Sequence, residues 1–262
     1  MIIPSEPADV GAACPQGRRT PARFWRMPLV VALLILAAIA LGCGSDPTRP
    51  PAQAFVAKGA LREAVKELLA LESVAFTLEH ITGSTALIPG FLEMYKVSGV
   101  VEIPDRFELT VEAETVQPRS FVKINVVTID DRAYMTDFIS GKWLQVEPRA
   151  LPFTFANFAQ TLADIIEAVD APAVVGAERL GESETNHIRG QIMSEDLGNL
   201  VPRAAEGFKV NLDLWLEQST NLLQRVLISG RVVATDEPGT VLQLTLHDIN
   251  LPVEISAPDL TR

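Results

Sequence analysis

Few residues in this chain are equipped for covalent chemistry. It has two cysteines, Cys14 and Cys43, and three histidines, His80, His187 and His247. A thiolate is a nucleophile that can be acylated, and Cys43 has a context that suits acylation. It closes the string Ala40-Leu41-Gly42-Cys43, directly after an apolar run from Leu29 to Leu41. Arg18, Arg19, Arg23 and Arg26 precede that run. A basic head, a short apolar stretch and a small residue before the cut describe a secretory signal peptide. The stretch falls short of the roughly 20 apolar residues that a spanning helix needs. The histidines offer less, because none stands at metal-ligand spacing from another His or Cys. His80 and His247 lie in strand patterns and read as exposed or rim residues. No Gly-x-Ser-x-Gly elbow is present, and Gly83-Ser84 and Gly239-Thr240 read as ordinary turns rather than phosphate loops. Asp130-Asp131 reads as a turn and Glu195-Asp196 as a helix start. Paired carboxylates can cleave glycosides, but scattered acids in an acidic chain are weak grounds for it. Trp143 and Trp215 read as core or rim anchors. No catalytic residue, metal site or cofactor is expected.

A cysteine at the cut point resembles the lipobox of bacterial lipoproteins. That resemblance implies that the thiol is diacylated with chains such as palmitate, that the signal is removed, and that Cys43 becomes the first mature residue. Ala40 departs mildly from the Leu usual at its place. The competing reading is a signal anchor with an incidental cysteine. The polar, proline-rich stretch that follows, Gly44-Ser45-Asp46-Pro47-Thr48-Arg49-Pro50-Pro51, argues for a tether holding a folded domain off a surface. The expected organisation is a signal peptide over 1–42, a lipidated cysteine and tether over 43–54, and one domain over 55–262.

With Cys14 removed and Cys43 acylated, the mature domain has neither a disulfide nor a free thiol. It must be stabilised by its core, which a domain of about 200 residues can build. The formal charge is −11, and loss of residues 1–42, with four arginines, Glu6 and Asp9, brings it to about −13. That excludes nucleic acid, whose binding needs Lys and Arg against phosphates, and a polybasic grip on anionic lipid. Attachment to the cell membrane, on its extracytoplasmic face, would rest on acyl chains. Two chains make a stable anchor where one does not.

The elements follow from periodicity. Residues 55–72 predict an amphipathic helix with Val56, Leu61, Ala64, Val65, Leu68 and Leu69 on one side. A period of two then sets in over 73–81 (Val74, Phe76, Leu78). After a loop with Gly83, Pro89 and Gly90 it resumes along Val97, Gly99, Val101 and Ile103, and along Phe107, Leu109, Val111 and Ala113. Residues 121–129 are apolar on both sides, with Val122, Ile124 and Val126 on one. Short connections lead through 132–136 and 143–146, as in an antiparallel meander. A second helix is expected over 153–169, with Phe155, Phe158, Leu162, Ile165, Ile166 and Val169 in a wide stripe. Strands return at 174–180 and 186–193. Ser194 is placed as the N-cap of a short helical segment reaching about Ala205. Three further strands carry Val210, Leu212, Leu214 and Leu216, then Val226, Ile228 and Val232, then Leu242, Leu244 and Leu246. Asp236-Glu237-Pro238-Gly239 turns between the last two. The fold class is α+β, one domain around a large antiparallel sheet.

The order of segments resembles a known family. LREAVKELLALESVAFTLEH leads into the meander, IDDRAYM and GKWLQVEP follow, and DLWLEQSTNLLQRVLISG and LHDINLPVEISAP come after the helical insertions. This layout, joined to a lipobox, is similar to bacterial lipoproteins of the LppX/LprG type, whose fold resembles LolA and LolB, over about 55–258. The resemblance implies a strongly curved antiparallel half-barrel with helices over its concave face. It also implies that the space between them holds acyl chains of a lipid or glycolipid, which the protein carries within the cell envelope as a monomer.

The same apolar faces serve two ends. They can pack into a closed core, as dense interiors normally do, giving an interaction or sensor module accessory to an envelope transporter. Or they can line a cavity. Modest helical coverage and the broad stripe of 153–169 suit a cavity. Its expected lining is Val74, Phe76, Leu78, Val97, Val101, Phe107, Leu109, Val122, Ile124, Val126, Phe155, Phe158, Leu162 and Ile166.

Overall fold

The computed structural model describes residues 52–151, 157–201 and 203–260. Cys43, the signal peptide, most of the tether and Phe155 lie outside them. Pro50–Arg262 forms one compact unit that contains the whole core.

Helix α1 spans Ala52–Leu69 and so begins inside the stretch read as tether. It buries Ala57, Leu61, Ala64, Val65 and Leu68, a stripe at i, i+4, i+7, i+8 and i+11. Val56 and Leu69, expected on that stripe, are 60% and 51% exposed. Their positions fall on its flanks, where the helix turns away from the sheet.

Twelve strands make one sheet: β1 Ser73–Thr82, β2 Thr85–Ile88, β3 Leu92–Glu102, β4 Arg106–Thr115, β5 Ser120–Ile129, β6 Arg132–Thr136, β7 Trp143–Val146, β8 Asp170–Leu180, β9 Ser183–Met193, β10 Lys209–Glu217, β11 Leu223–Ser229 and β12 Val241–His247. Their order is β7-β6-β5-β4-β3-β1-β12-β11-β10-β9-β8, with β2 paired to β3. Every pairing is antiparallel. The sheet is curved and unclosed, and the terminal strands β7 and β8 are not paired to each other. Helix α2, Phe158–Glu167, lies between the two halves in sequence and joins α1 over the concave face.

Several boundaries differ from the periodic reading. Strand β2 occupies part of the expected 82–90 loop, because four residues between Gly83 and Pro89 are too few to reveal a period. Strand β8 begins at Asp170, since the chain leaves α2 directly into an extended edge strand. Ser194 is the first residue of a 3-10 turn, Ser194–Leu197, and the N-cap position falls to Met193, which makes no side-chain capping bond. Its hydroxyl instead donates to the carbonyl of Ala205 at 2.5 Å and accepts from the amide of Phe208 at 3.2 Å. Val232 is buried but lies outside β11, because the chain leaves the strand at Gly230, whose φ is 131°. Asp236 Oδ2 accepts from the amides of Val232 and Val233 at 3.0 and 2.8 Å and shapes the following turn. The Asp130-Asp131 turn forms between Ile129 and Arg132.

Gly99 marks where β4 approaches β3 closely. It pairs with Phe76 on one side and Leu109 on the other. A Cβ there would collide with the carbonyl of Glu108 and with Leu109. Asn250 pins the far end of the chain to the α1–β1 junction. Its Oδ1 accepts from the amide of Glu72 at 2.8 Å, and Ser73 Oγ donates to the Leu251 carbonyl at 2.6 Å. Because β3 and β4 have no room to separate, Gly99→Ala should lower stability by about 1–3 kcal/mol, the usual cost of overpacking a core. Urea unfolding measures this, with a reduced midpoint as the expected result.

Candidate functional site: an apolar interior and its mouth

Thirteen of the fourteen residues expected to line a cavity are described, and all are buried in one cluster. Strand register explains why they meet. Leu78 pairs with Val97, Val97 with Val111, and Val111 with Ile124. A parallel row runs Phe76, Gly99, Leu109, Val126, and another runs Val74, Val101, Phe107. The period of two puts each row on the concave face, and α2 lays Phe158, Leu162 and Ile166 over it. Phe76 and Phe158 touch with ring centroids 5.0 Å apart at 33°. At that point side chains fill the space between sheet and helix.

The apolar face extends beyond these residues. Ile188, Leu212, Leu214, Leu216, Val226, Ile228, Leu242, Leu244 and Leu246 carry it across β9 to β12 and belong to the same cluster.

Open volume lies at the edge of this layer. A cleft of about 490 Å³ separates α1 from the end of α2 and the start of β8. That size falls within the roughly 300–1,000 Å³ of small-molecule sites. Leu61, Val65, Ile166, Val169 and Pro172 line it, with Lys58, Arg62, Lys66 and Glu167 around them. Its floor is therefore made of core residues, and its rim is charged. Periodicity does place these α1 residues correctly, but Lys58, Arg62 and Lys66 read from sequence only as the solvated side of an amphipathic helix. What reveals a cleft is the neighbouring end of α2.

The convex face holds the most organised polar cluster among the described residues. His187 on β9 is buried and stacks on Trp215 of β10, centroids 4.5 Å apart at 13°. Its Nδ1 lies 2.8 Å from Glu178 Oε1 and its Nε2 2.5 Å from Asp213 Oδ1. Trp215 Nε1 donates to Glu178 Oε2 at 2.9 Å, and Arg189 Nε to Asp213 Oδ1 at 2.8 Å. Ionised carboxylates only accept, so the ring satisfies both when both nitrogens carry hydrogen. Glu178 is held below the usual carboxylate range, chiefly by the Trp215 hydrogen bond and then by His187. A histidine between two acids has the partners that general acid–base chemistry uses. Here it joins β8, β9 and β10 on the face opposite the apolar interior, with its ring covered by indole. Sequence reading placed Trp215 as an anchor but did not single out His187, because its partners come from three strands.

His80, expected to be exposed or at the rim, is half-buried on β1. Its Nε2 meets Thr85 Oγ1 of β2 at 2.8 Å. The missed strand β2 is what covers it. His247 is exposed, as expected, beside Asp248. Trp143 packs on a small second cluster of Val127, Ile129, Tyr134 and Ile255 on the convex side. This explains the two-sided apolar character of β5, although Phe121 at its start is 62% exposed.

The sequence profile of the LppX_LprAFG lipoprotein family matches residues 56–255. The chain belongs to this family. Two solved structures of similar fold are LprF from Mycobacterium bovis and the lipoprotein LppX of Mycobacterium tuberculosis. LprF is 18% identical with a TM-score of 0.61, over 78% of this chain and 97% of that one. LppX is 16% identical with a TM-score of 0.54, over 77% of this chain and 98% of that one. Among curated proteins, none matches the sequence. The LppX_LprAFG fold is thus the curved, unclosed antiparallel sheet described above, with its helices over the concave face.

Burial holds His80 below its ordinary value of 6.5, partly offset by the charge of Asp236. The unfolded chain therefore binds a proton that the folded one resists, and stability falls as pH drops from 6.5 toward the folded value. Thermal unfolding of the wild type should show Tm declining between pH 7 and 5, and His80→Gln should flatten that decline. The depressed carboxylates Glu178, Glu195 and Asp137 contribute stability that is lost as pH falls from the ordinary carboxylate range toward their lower folded values.

Proposed function

We propose that this protein is a membrane-anchored, extracytoplasmic lipoprotein that takes up the acyl chains of a lipid or glycolipid between sheet and helices and carries them within the cell envelope. The observation that carries this reading is the cleft between α1 and α2, whose apolar floor is continuous with the core cluster. An alkyl tail that passes the charged rim meets the side chains of Leu61, Val65, Ile166 and Val169. Membership of a lipoprotein family and the lipobox-like string ending at Cys43 support an acyl anchor.

The energetics suit a carrier. Each methylene removed from water gains about 0.8 kcal/mol, but a bilayer is as apolar as the protein interior. Transfer from membrane to protein is therefore close to neutral, and loading and unloading are both accessible. Tethering near the donor membrane raises the effective lipid concentration. The residues proposed to meet acyl chains are those of the concave rows, together with Phe158, Leu162 and Ile166 of α2. The Phe76–Phe158 contact means that a guest reaching that depth must part these rings.

A solidly packed interaction module is the competing reading, favoured by that same ring contact. The Pro50–Arg262 unit, which holds the whole core, separates the two when incubated with lipid vesicles, re-isolated and extracted. Bound lipid by mass spectrometry is the expected result. Leu61→Asp at the cleft floor, assayed on the protein that circular dichroism shows to be folded, should reduce the lipid recovered at least about tenfold. Lipid-free wild-type protein would favour the interaction module.

The anchor is tested separately in the full chain. Cys43→Ala should move the protein from the membrane fraction to the soluble fraction and remove acyl labelling. Retention on membranes would refute the lipobox.

A further inference from the structure

The carrier reading leaves open what the mouth of the cleft selects. Lys58, Arg62 and Lys66 stand four residues apart on α1, so they share one helical face, and all three rim the cleft. They are exposed. Lys66 meets Glu63 at 2.8 Å in a solvated pair, an interaction worth at most about 1 kcal/mol. Neither Lys58 nor Arg62 pairs with a carboxylate among the described residues. Glu167, at the end of α2, is the single acid among the described residues around the cleft. With Glu63 counted, the local balance is three cations to two anions, in a chain that carries −11 overall.

This charge lies directly above Leu61, Val65, Ile166 and Val169. Apolar floor and cationic rim together complement an amphiphile with an anionic head. Guanidinium presents a planar fork of donors suited to phosphate oxygens, and ammonium adds a point charge.

We infer that the α1–α2 cleft selects lipids with an anionic, phosphate-bearing headgroup, held by Lys58 and Arg62 while an acyl chain lies on Leu61, Val65, Ile166 and Val169. This rests on the carrier reading above. The acidity of the remaining surface gives the selection a direction. It disfavours flat adsorption to an anionic bilayer, so one lipid is drawn to the mouth without the domain adhering along its length.

The test uses the Pro50–Arg262 unit and vesicles containing phosphatidylglycerol and phosphatidylcholine with identical acyl chains. After incubation, protein is separated from vesicles and both lipids are quantified in the protein fraction. The wild type should hold phosphatidylglycerol in about tenfold excess, equivalent to about 1.4 kcal/mol. The Lys58→Gln/Arg62→Gln variant, altered only at exposed positions, should lose that excess and hold the two lipids in about equal amounts. Equal uptake of the two lipids by the wild type, or a preference that survives in the variant, would overturn the headgroup assignment and leave lipid carriage standing. Protein that co-migrates with phosphatidylglycerol vesicles yet extracts no lipid would overturn it as mere surface adsorption. Uptake of neither lipid would sink the carrier reading itself.

Discussion

A sheet that curves without closing must cover its concave face with something other than itself. That constraint organises the molecule. The rows through Phe76, Leu78, Val97, Leu109 and Val126 belong to an apolar face that runs from β5 across to β9, and water against it would cost on the order of 25 cal/mol per Å². Two helices supply the cover. The tilted contact of Phe76 with Phe158 seats α2 on the central strand β1, and α1 packs beside α2. Where the second helix ends, the cover ends too, and the cleft opens there. The same geometry that builds the core therefore leaves this opening between the helices rather than in the sheet.

The convex face meets a different requirement. It faces solvent, yet β8 to β10 must hold together near a free edge. The Glu178–His187–Asp213 chain, closed by Trp215 and Arg189, links those strands by side chains in addition to the backbone ladder. Cross-strand pairs of this kind are the unit of sheet stabilisation. The edge strands are themselves poor templates for further pairing. Strand β7 is only four residues long, and β8 is bulged and largely exposed, with charges along it. Both are recognised ways of blunting an open edge.

Chemistry and placement agree in the proposed role. His187 has acid–base partners, but its ring is buried against indole on the face away from the apolar interior. The cleft combines hydrocarbon with an excess of positive charge. Recognition and carriage ask for the second arrangement, and a near-neutral transfer free energy follows from the similarity of protein interior and bilayer.

Much of this was legible in the residues themselves. Alternation along Val74–Leu78 and Phe107–Ala113, and the greasy stripe through Phe158, Leu162 and Ile166, are one-dimensional records of which side faces the core, because side-chain direction repeats every two or 3.6 residues. Short or non-local features were not legible. Strand β2 is too brief to show a period, Val232 keeps the right parity but leaves its strand at Gly230, and His187 finds Glu178 and Asp213 only through pairing of three strands. Sequence determined the apolar faces and the antiparallel class, since both follow from local periodicity and short turns. Only tertiary structure decided where those faces stop being covered, because the cleft beside Lys58 and Arg62 is bounded by residues more than 100 positions away in the chain, and no local pattern specifies such a boundary.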